Sequence, residues 1–229
     1  MQSPNDGEMQ MGPEFFPLVV AAVAAVAALS ADSAGGQMPD SEGFYELFNG
    51  KDLDDWKVSE NPQTFSVEDG VMVVDGPRSH LYYNGPVCDH NFKNFHLKAE
   101  LMTFPQANSG IYFHTEFLAN DWPQKGFECQ VNETHGDMKK TGGLYNVKDV
   151  MNQSPVNTNE WYLYDVIVNG KSVVLKINGE TTCEWTQPDD WTPPGGHSGR
   201  VLDSGTIAIQ GHDPNSRILY RSIRIKPLE

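Results

Sequence analysis

From Phe44 onward the chain is a series of short runs, separated by turns, in which hydrophobic and polar residues alternate with a period of two. Such alternation sends successive side chains to opposite faces of a strand. The stretch from Asn108 to Val147 holds the clearest pair of runs. In NSGIYFHTEF, Ile111, Phe113 and Thr115 point one way, and Tyr112, His114 and Glu116 the other. In KGFECQVN, Phe127, Cys129 and Val131 share one face, and Glu128, Gln130 and Asn132 share the opposite one. If the loop Leu118 to Lys125 joins these runs as antiparallel neighbours, one face is apolar. The other then gathers an imidazole, two carboxylates and two amides. A half-buried sheet that needed only solubility would draw on Lys, Thr and Ser instead. This face is therefore the candidate site.

Further runs follow the same period. Phe95 to Leu101 alternates, and Tyr162 to Val168, Ser172 to Asn178 and Thr182 to Trp185 are separated by Asn169-Gly170 and Asn178-Gly179. Thr206 to His212 sends Ile207 and Ile209 inward and Gln210 and His212 to the other side. Leu219 to Lys226 ends the chain in the same way. Asn-Gly and Asp-Gly pairs are hairpin and turn signals. Two longer polar stretches, His135 to Glu160 and Gln187 to Arg200, read as loops, which at this length are usually functional or mobile. No segment shows a sustained 3.6 period. Short strands at this spacing predict an antiparallel β-sandwich, with residues 41–229 as one domain.

Residues 1–40 differ. Leu18 to Leu29 is an unbroken apolar run, too short to span a bilayer comfortably. With the small residues Ser30 to Ala34 behind it, it predicts a signal peptide and export, although no positive charge precedes it. A weak N-terminal membrane anchor is the alternative. The chain has 229 residues and a formal net charge of −15. Beyond residue 40, 26 acids still face 16 bases. That surface repels phosphate backbones and anionic membranes, so nucleic acid and strong membrane association are not expected, whereas a neutral sugar is compatible. Cys88, Cys129 and Cys183 are too few and too widely spaced for a disulfide framework, with Cys129 expected as a buried thiol and a single bridge left open.

Glu128 is the foremost candidate. A carboxylate in a partly dry pocket has a raised pKa and becomes a usable acid or base. His114, on the same expected face, can titrate or donate near neutrality. His212, in QGHDP, is either a turn residue or a histidine at the rim of the polar face oriented by Asp213. Trp122, Tyr145, Trp161 and Trp191 could stack on sugar rings or simply pack. His114, Glu116, Glu128 and His212 could also form a metal site, though their spacing matches no ligand signature. Asn132-Glu133-Thr134 matches the glycosylation pattern.

FYELFNGKDLDDWK, NSGIYFHTEF, KGFECQVNETH, KKTGGLYNVKDV, NEWY, INGE, GTIAIQGHDPNS and YRSIRIKPL occur in that order. Together they resemble the 3-keto-disaccharide hydrolase domain family from Gly43 to Leu228. The resemblance implies a concanavalin A-like jelly roll, two curved antiparallel sheets with a concave polar face. It implies an exported bacterial protein, periplasmic or extracellular, acting on an oxidised glycoside. The family's YExQ pattern falls on Glu128 and Gln130, written here as FECQ. Many members have Arg after GIYF, where this chain has His114.

The chemistry so implied is cleavage of a 3-keto-glycoside by proton abstraction at C2 and elimination at C1. Glu128 is then expected as base, His114 as donor to the ketone, and His212 as acid. Gln130, Asn132, Glu116, Tyr145, Lys148, Gln210 and Asp213 are expected to bind substrate. No definite cofactor is implied, and a divalent metal ion stays open. The alternatives are a carbohydrate-binding module without chemistry, and a glycosidase with Glu116 and Glu128 as its carboxylate pair.

Overall fold

The alternating runs pair as antiparallel strands in two stacked sheets. The protein is described here from a computed structural model, covering Met1 and residues 37–194 and 197–229. The apolar run 18–29 and its expected cleavage site lie outside the described residues. Among the described residues, no helix is long and apolar enough to cross a membrane.

One sheet runs in the order β13 (Glu180–Thr186), β12 (Ser172–Ile177), β11 (Tyr162–Asn169), β6 (Phe95–Thr103), β15 (Arg217–Pro227), β4 (Val71–Asp75) and β3 (Phe65–Glu68). The short β1 (Tyr45–Glu46) also pairs with β15. The other runs β10 (Lys148–Met151), β9 (Lys139–Leu144), β8 (Phe127–Val131), β7 (Ser109–Thr115), β14 (Thr206–Gly211), β5 (Ser79–Tyr83) and β2 (Trp56–Val58). This is the jelly-roll sandwich that the alternation and the resemblance predict. Residues 139–151, expected as loop, instead form β9 and β10. KKTGGL has no apolar alternation because its buried positions serve other ends: Thr141 donates to Glu133, and a Cβ at Gly142 or Gly143 would collide with Thr182 or the Val150 backbone.

The core between the sheets takes the apolar half of each run. Ile111, Phe113, Phe127, Cys129, Val131, Ile207 and Ile209 meet Leu97, Leu101, Tyr164, Val166 and Ile223 from the facing sheet. Phe113 stacks on Phe127, with ring centroids 5.4 Å apart. All three cysteines are free, Cys129 and Cys183 buried and Cys88 exposed. On the opposite face of the seven-stranded sheet, Tyr82, Ala208 and Tyr112 lie side by side across β5, β14 and β7.

Beyond β8 the chain turns on polar contacts. Asn132 is fully buried. Its amide nitrogen donates to the carbonyls of Asp137 (3.0 Å) and Lys139 (2.7 Å), and its oxygen accepts from the His135 amide (2.9 Å). It therefore shapes the β8–β9 turn, does not face the candidate site, and offers no free amide for glycosylation. Glu133 ties the sheets together. It accepts from Thr103 of β6, from Thr141 of β9 (2.8 Å) and from Tyr162 of β11 (2.9 Å). Burial still raises its pKa, against the pull of those three donors.

Removing this carboxylate leaves three buried hydroxyls without an acceptor, at about 1–3 kcal/mol for each group left unpaired. Relief from burying the carboxylate offsets part of that loss, so Glu133→Ala is expected to lower the unfolding free energy by about 2–4 kcal/mol in urea denaturation. A loss within about 0.5 kcal/mol, the usual scale of a surface change, would show that the inter-sheet network does not stabilise the fold.

Candidate active site

A pocket of about 240 Å³ opens on the face of the seven-stranded sheet turned away from the core. That is somewhat below the roughly 300–1,000 Å³ of drug-sized sites and suits a single small ring. Glu128 sits in it, 6% exposed. Tyr112, its cross-strand partner on β7, donates its hydroxyl to Glu128 Oε2 (2.9 Å). Gln210 of β14 donates its amide nitrogen to Glu128 Oε1 (2.9 Å) and to the Tyr112 hydroxyl oxygen (3.0 Å). Gly110 gives the carboxylate its room, because a Cβ there would come within 2.5 Å of Glu128 Oε1. Burial raises the pKa of Glu128, and the hydrogen bonds from Tyr112 and Gln210 restrain the rise.

Two acceptors beside it are unused. Gln130 donates to Asn108 Oδ1 (3.1 Å), but its own oxygen is buried without a partner. The oxygen of Gln210 is likewise unpartnered. Buried polar atoms in folded proteins are nearly always paired. Here the missing donors fit the hydroxyls of a ligand.

The rim supplies the remaining chemistry. His212 Nδ1 lies 2.6 Å from Asp213 Oδ2, which fixes a proton on that nitrogen and leaves Nε2 for a ligand. Asp213 also accepts from the Ser216 hydroxyl (3.0 Å), so it holds the imidazole and stands outside the pocket lining. Arg200 lines the pocket while only 5% exposed. Its guanidinium donates to the Tyr145 carbonyl (2.8 Å), and the Trp191 indole donates to the Arg200 carbonyl (2.8 Å). Burial lowers the pKa of this guanidinium, against the charge of Glu128 across the pocket. Trp122 and Tyr145 complete the walls. His80 lies beneath Trp122 with neither ring nitrogen paired, and burial pushes its pKa down to about 3.

The pocket thus brings together Glu128, Gln130, Tyr145, Gln210 and His212, with Asp213 behind. His114 is not among them. A β-bulge sets Phe113 and His114 of β7 against Ile207 of β14, since Thr206 pairs with Thr115 but Ala208 with Tyr112. His114 takes a left-handed φ of 53° and turns from the polar face toward Phe95 and Phe113. Its Nε2 bonds the Lys93 carbonyl (2.8 Å) and its Nδ1 accepts from the Asp203 amide (3.2 Å). Both nitrogens are occupied, so it cannot donate to a substrate ketone here. Burial lowers its pKa further.

Glu116 is exposed beyond the bulge and lines a different cavity, so it does not pair with Glu128 across a bond. Lys148 reaches the Glu184 carbonyl (2.6 Å) at the sheet edge, outside the pocket. The metal set of His114, Glu116, Glu128 and His212 is therefore not assembled. Trp161 lies under Arg221, and Trp191 packs on Trp185.

Arg200 and Asn108 also line the pocket, though no alternation in the chain marks them, and Tyr112, on the predicted polar face, has a role that its residue type alone does not announce. Arg200 closes a Pro- and Gly-rich loop with no periodicity to place it. Its one signal is a guanidinium at the end of a loop already expected to be functional. The pairing of Gly199 with Lys125 pins that loop end beside the start of β8.

Residues 43–226 match the profile of the 3-keto-alpha-glucoside-1,2-lyase-like domain. A relative from Bacteroides thetaiotaomicron named 3-keto-disaccharide hydrolase is 25% identical, with 84% of this chain and 81% of the relative covered. A protein of Parabacteroides distasonis, named provisionally as a glycosyl hydrolase, superposes with a TM-score of 0.70 at 23% identity, covering 82% of this chain and 95% of the other. A Bacillus licheniformis β-glucanase superposes with a TM-score of 0.55 at 11% identity, covering 81% and 97%. The two structural likenesses show the fold.

A carboxylate whose folded pKa is raised binds its proton more tightly folded than unfolded. Its contribution is fully present below the ordinary glutamate range and is lost as pH rises through the raised value. The stability of wild type relative to Glu128→Gln is therefore expected to fall as pH rises above about 4.5, in urea melts at a series of pH values. A difference that stays flat or grows with pH would show that Glu128 is not desolvated.

Proposed function

The chain belongs to the 3-keto-alpha-glucoside-1,2-lyase-like domain family, and from that membership and the pocket around Glu128 we propose that it cleaves the glycosidic bond of 3-keto-glucosides. The ketone at C3 acidifies the hydrogen at C2. Glu128 takes that proton, and the electron pair moves onto the C3 oxygen as an enolate. The enolate then expels the C1 oxygen, leaving a C1–C2 double bond, and the departing oxygen takes up a proton. Water adding across the double bond would complete a net hydrolysis.

The observation that supports this most is the state of Glu128. It is a desolvated carboxylate, fixed by two donors, in a cavity the size of one ring. A raised pKa brings its basicity closer to neutral pH, where a general base works best. Arg200, the guanidinium lining the pocket, would face the developing enolate, the role the chain alone suggests for His114. A fixed, partly dry guanidinium would stabilise that charge without reorganising. His212, held by Asp213, would protonate the leaving oxygen through Nε2. The unpartnered oxygens of Gln130 and Gln210 would accept from ring hydroxyls, with Trp122 and Tyr145 beside the ring. The name of the Bacteroides relative points the same way.

Glu128→Gln is expected to lower kcat on a 3-keto-disaccharide by about 10²–10⁴-fold while the protein stays folded. Tyr112→Phe removes a donor that favours the carboxylate, so the acidic limb of its kcat/KM profile should move to higher pH. Undiminished turnover by the Glu128→Gln protein would remove the base from this scheme. Binding of keto-sugars without turnover by the wild-type protein would mark a binding module instead.

A further inference from the structure

A second cavity, of about 400 Å³, opens toward the other end of the same sheet face. It shares no lining residue with the Glu128 pocket. The loop between β7 and β8 walls both, with Phe117 and Lys125 lining this cavity and Trp122 and Pro123 the other.

Its floor holds buried hydroxyls without partners. Thr115 is 1% exposed, and its Oγ1 has no hydrogen bond. Tyr82, also 1% exposed, has its hydroxyl near the Leu118 backbone without a hydrogen bond of normal geometry. Burial pushes its phenol up to about 12, so it keeps its proton. An unpaired buried hydroxyl is costly, and a ligand hydroxyl would satisfy it. Phe117 offers an exposed aromatic ring, edge-on to Tyr82 at 5.4 Å and with Lys57 Nζ 3.7 Å from its centroid. The charged side chains around the cavity balance, Lys57 and Lys125 against Asp89 and Glu116. Cys88, Asp89 and His90 all adopt left-handed backbone, with φ between 48° and 51°. Such strain costs on the order of 1–3 kcal/mol per residue and persists where the surroundings hold it, here with Asp89 and His90 at the cavity wall.

We propose that this cavity is a second saccharide site, binding a neutral, unoxidised pyranose through the Thr115 and Tyr82 hydroxyls and the Phe117 ring. An aromatic face, unpaired hydroxyls and balanced charge fit a polyol ring and disfavour an anion or a cation. The site is separate from the reaction assigned to Glu128 and does not depend on it.

The test is a titration of the ¹⁵N-labelled full chain with a panel of plain sugars: glucose, galactose, mannose, maltose and sucrose. At least one is expected to shift the amides of Asn84, Thr115 and Phe117 saturably. Thr115→Val and Phe117→Ala should each weaken that binding by about 10-fold, the equivalent of one hydrogen bond or ring contact. Glu128→Gln should leave it unchanged. Thr115→Val is isosteric and removes only an unpaired hydroxyl, so it keeps the test independent of any folding defect in the Phe117 variant. Shifts confined to the Glu128 pocket, or no saturable shift with any sugar, would overturn the proposal. So would binding that survives both variants. Failure of keto-glycoside cleavage would leave this result readable, because no turnover is measured.

Discussion

A carboxylate stripped of water has to find its hydrogen bonds in the sheet that carries it. Glu128 finds them on two neighbouring strands, and the surrounding design follows from that requirement. The β7–β8 register sets Tyr112 opposite it, and β14 presents Gln210. Gly110 is there because any side chain would collide with the carboxylate. The two donors limit the pKa rise that burial imposes, so the group remains ionisable. Without them, burial would raise the pKa further.

The second determinant is one extra residue. The bulge in β7 reverses the alternation after Phe113, turning His114 into the core and Thr115 toward the outer face. Two glycines allow the tight passage. A Cβ at Gly126 would come within 2.2 Å of the Phe113 carbonyl oxygen, and one at Gly205 within 2.3 Å of the Thr115 carbonyl oxygen. The bulge thus parts the sheet face into two regions. Before it lie Tyr112, Glu128 and Gln210, and beyond it lie Thr115, Glu116 and Phe117 in the second cavity.

What could be read from the chain follows from period two. Wherever a strand is regular, alternation assigns faces correctly, as it does for Glu128, Gln130 and Gln210 on the outer side and Cys129, Val131 and Ile209 on the inner. It fails where regularity ends. His114 lies in a bulge that only pairing with β14 reveals, and Asn132 lies one residue past the end of β8, where the backbone turns. Arg200 arrives from a loop nearly ninety positions after Tyr112, and no local pattern can place it. Lys148 and Glu116 have plausible chemistry but belong to strand edges and loop starts that diverge from the pocket. The order of motifs identified the family and jelly roll, while long-range pairing selected which polar side chains meet.

Cleavage by this route removes the proton at C2. The direct measurement is turnover of a 3-keto-disaccharide in heavy water, with the sugar products followed by NMR and the Glu128→Gln protein as control. Deuterium at C2 of the released 3-keto sugar, entering at the rate of cleavage and only with the wild-type protein, is the predicted result. Cleavage with the C2 hydrogen fully retained would contradict it.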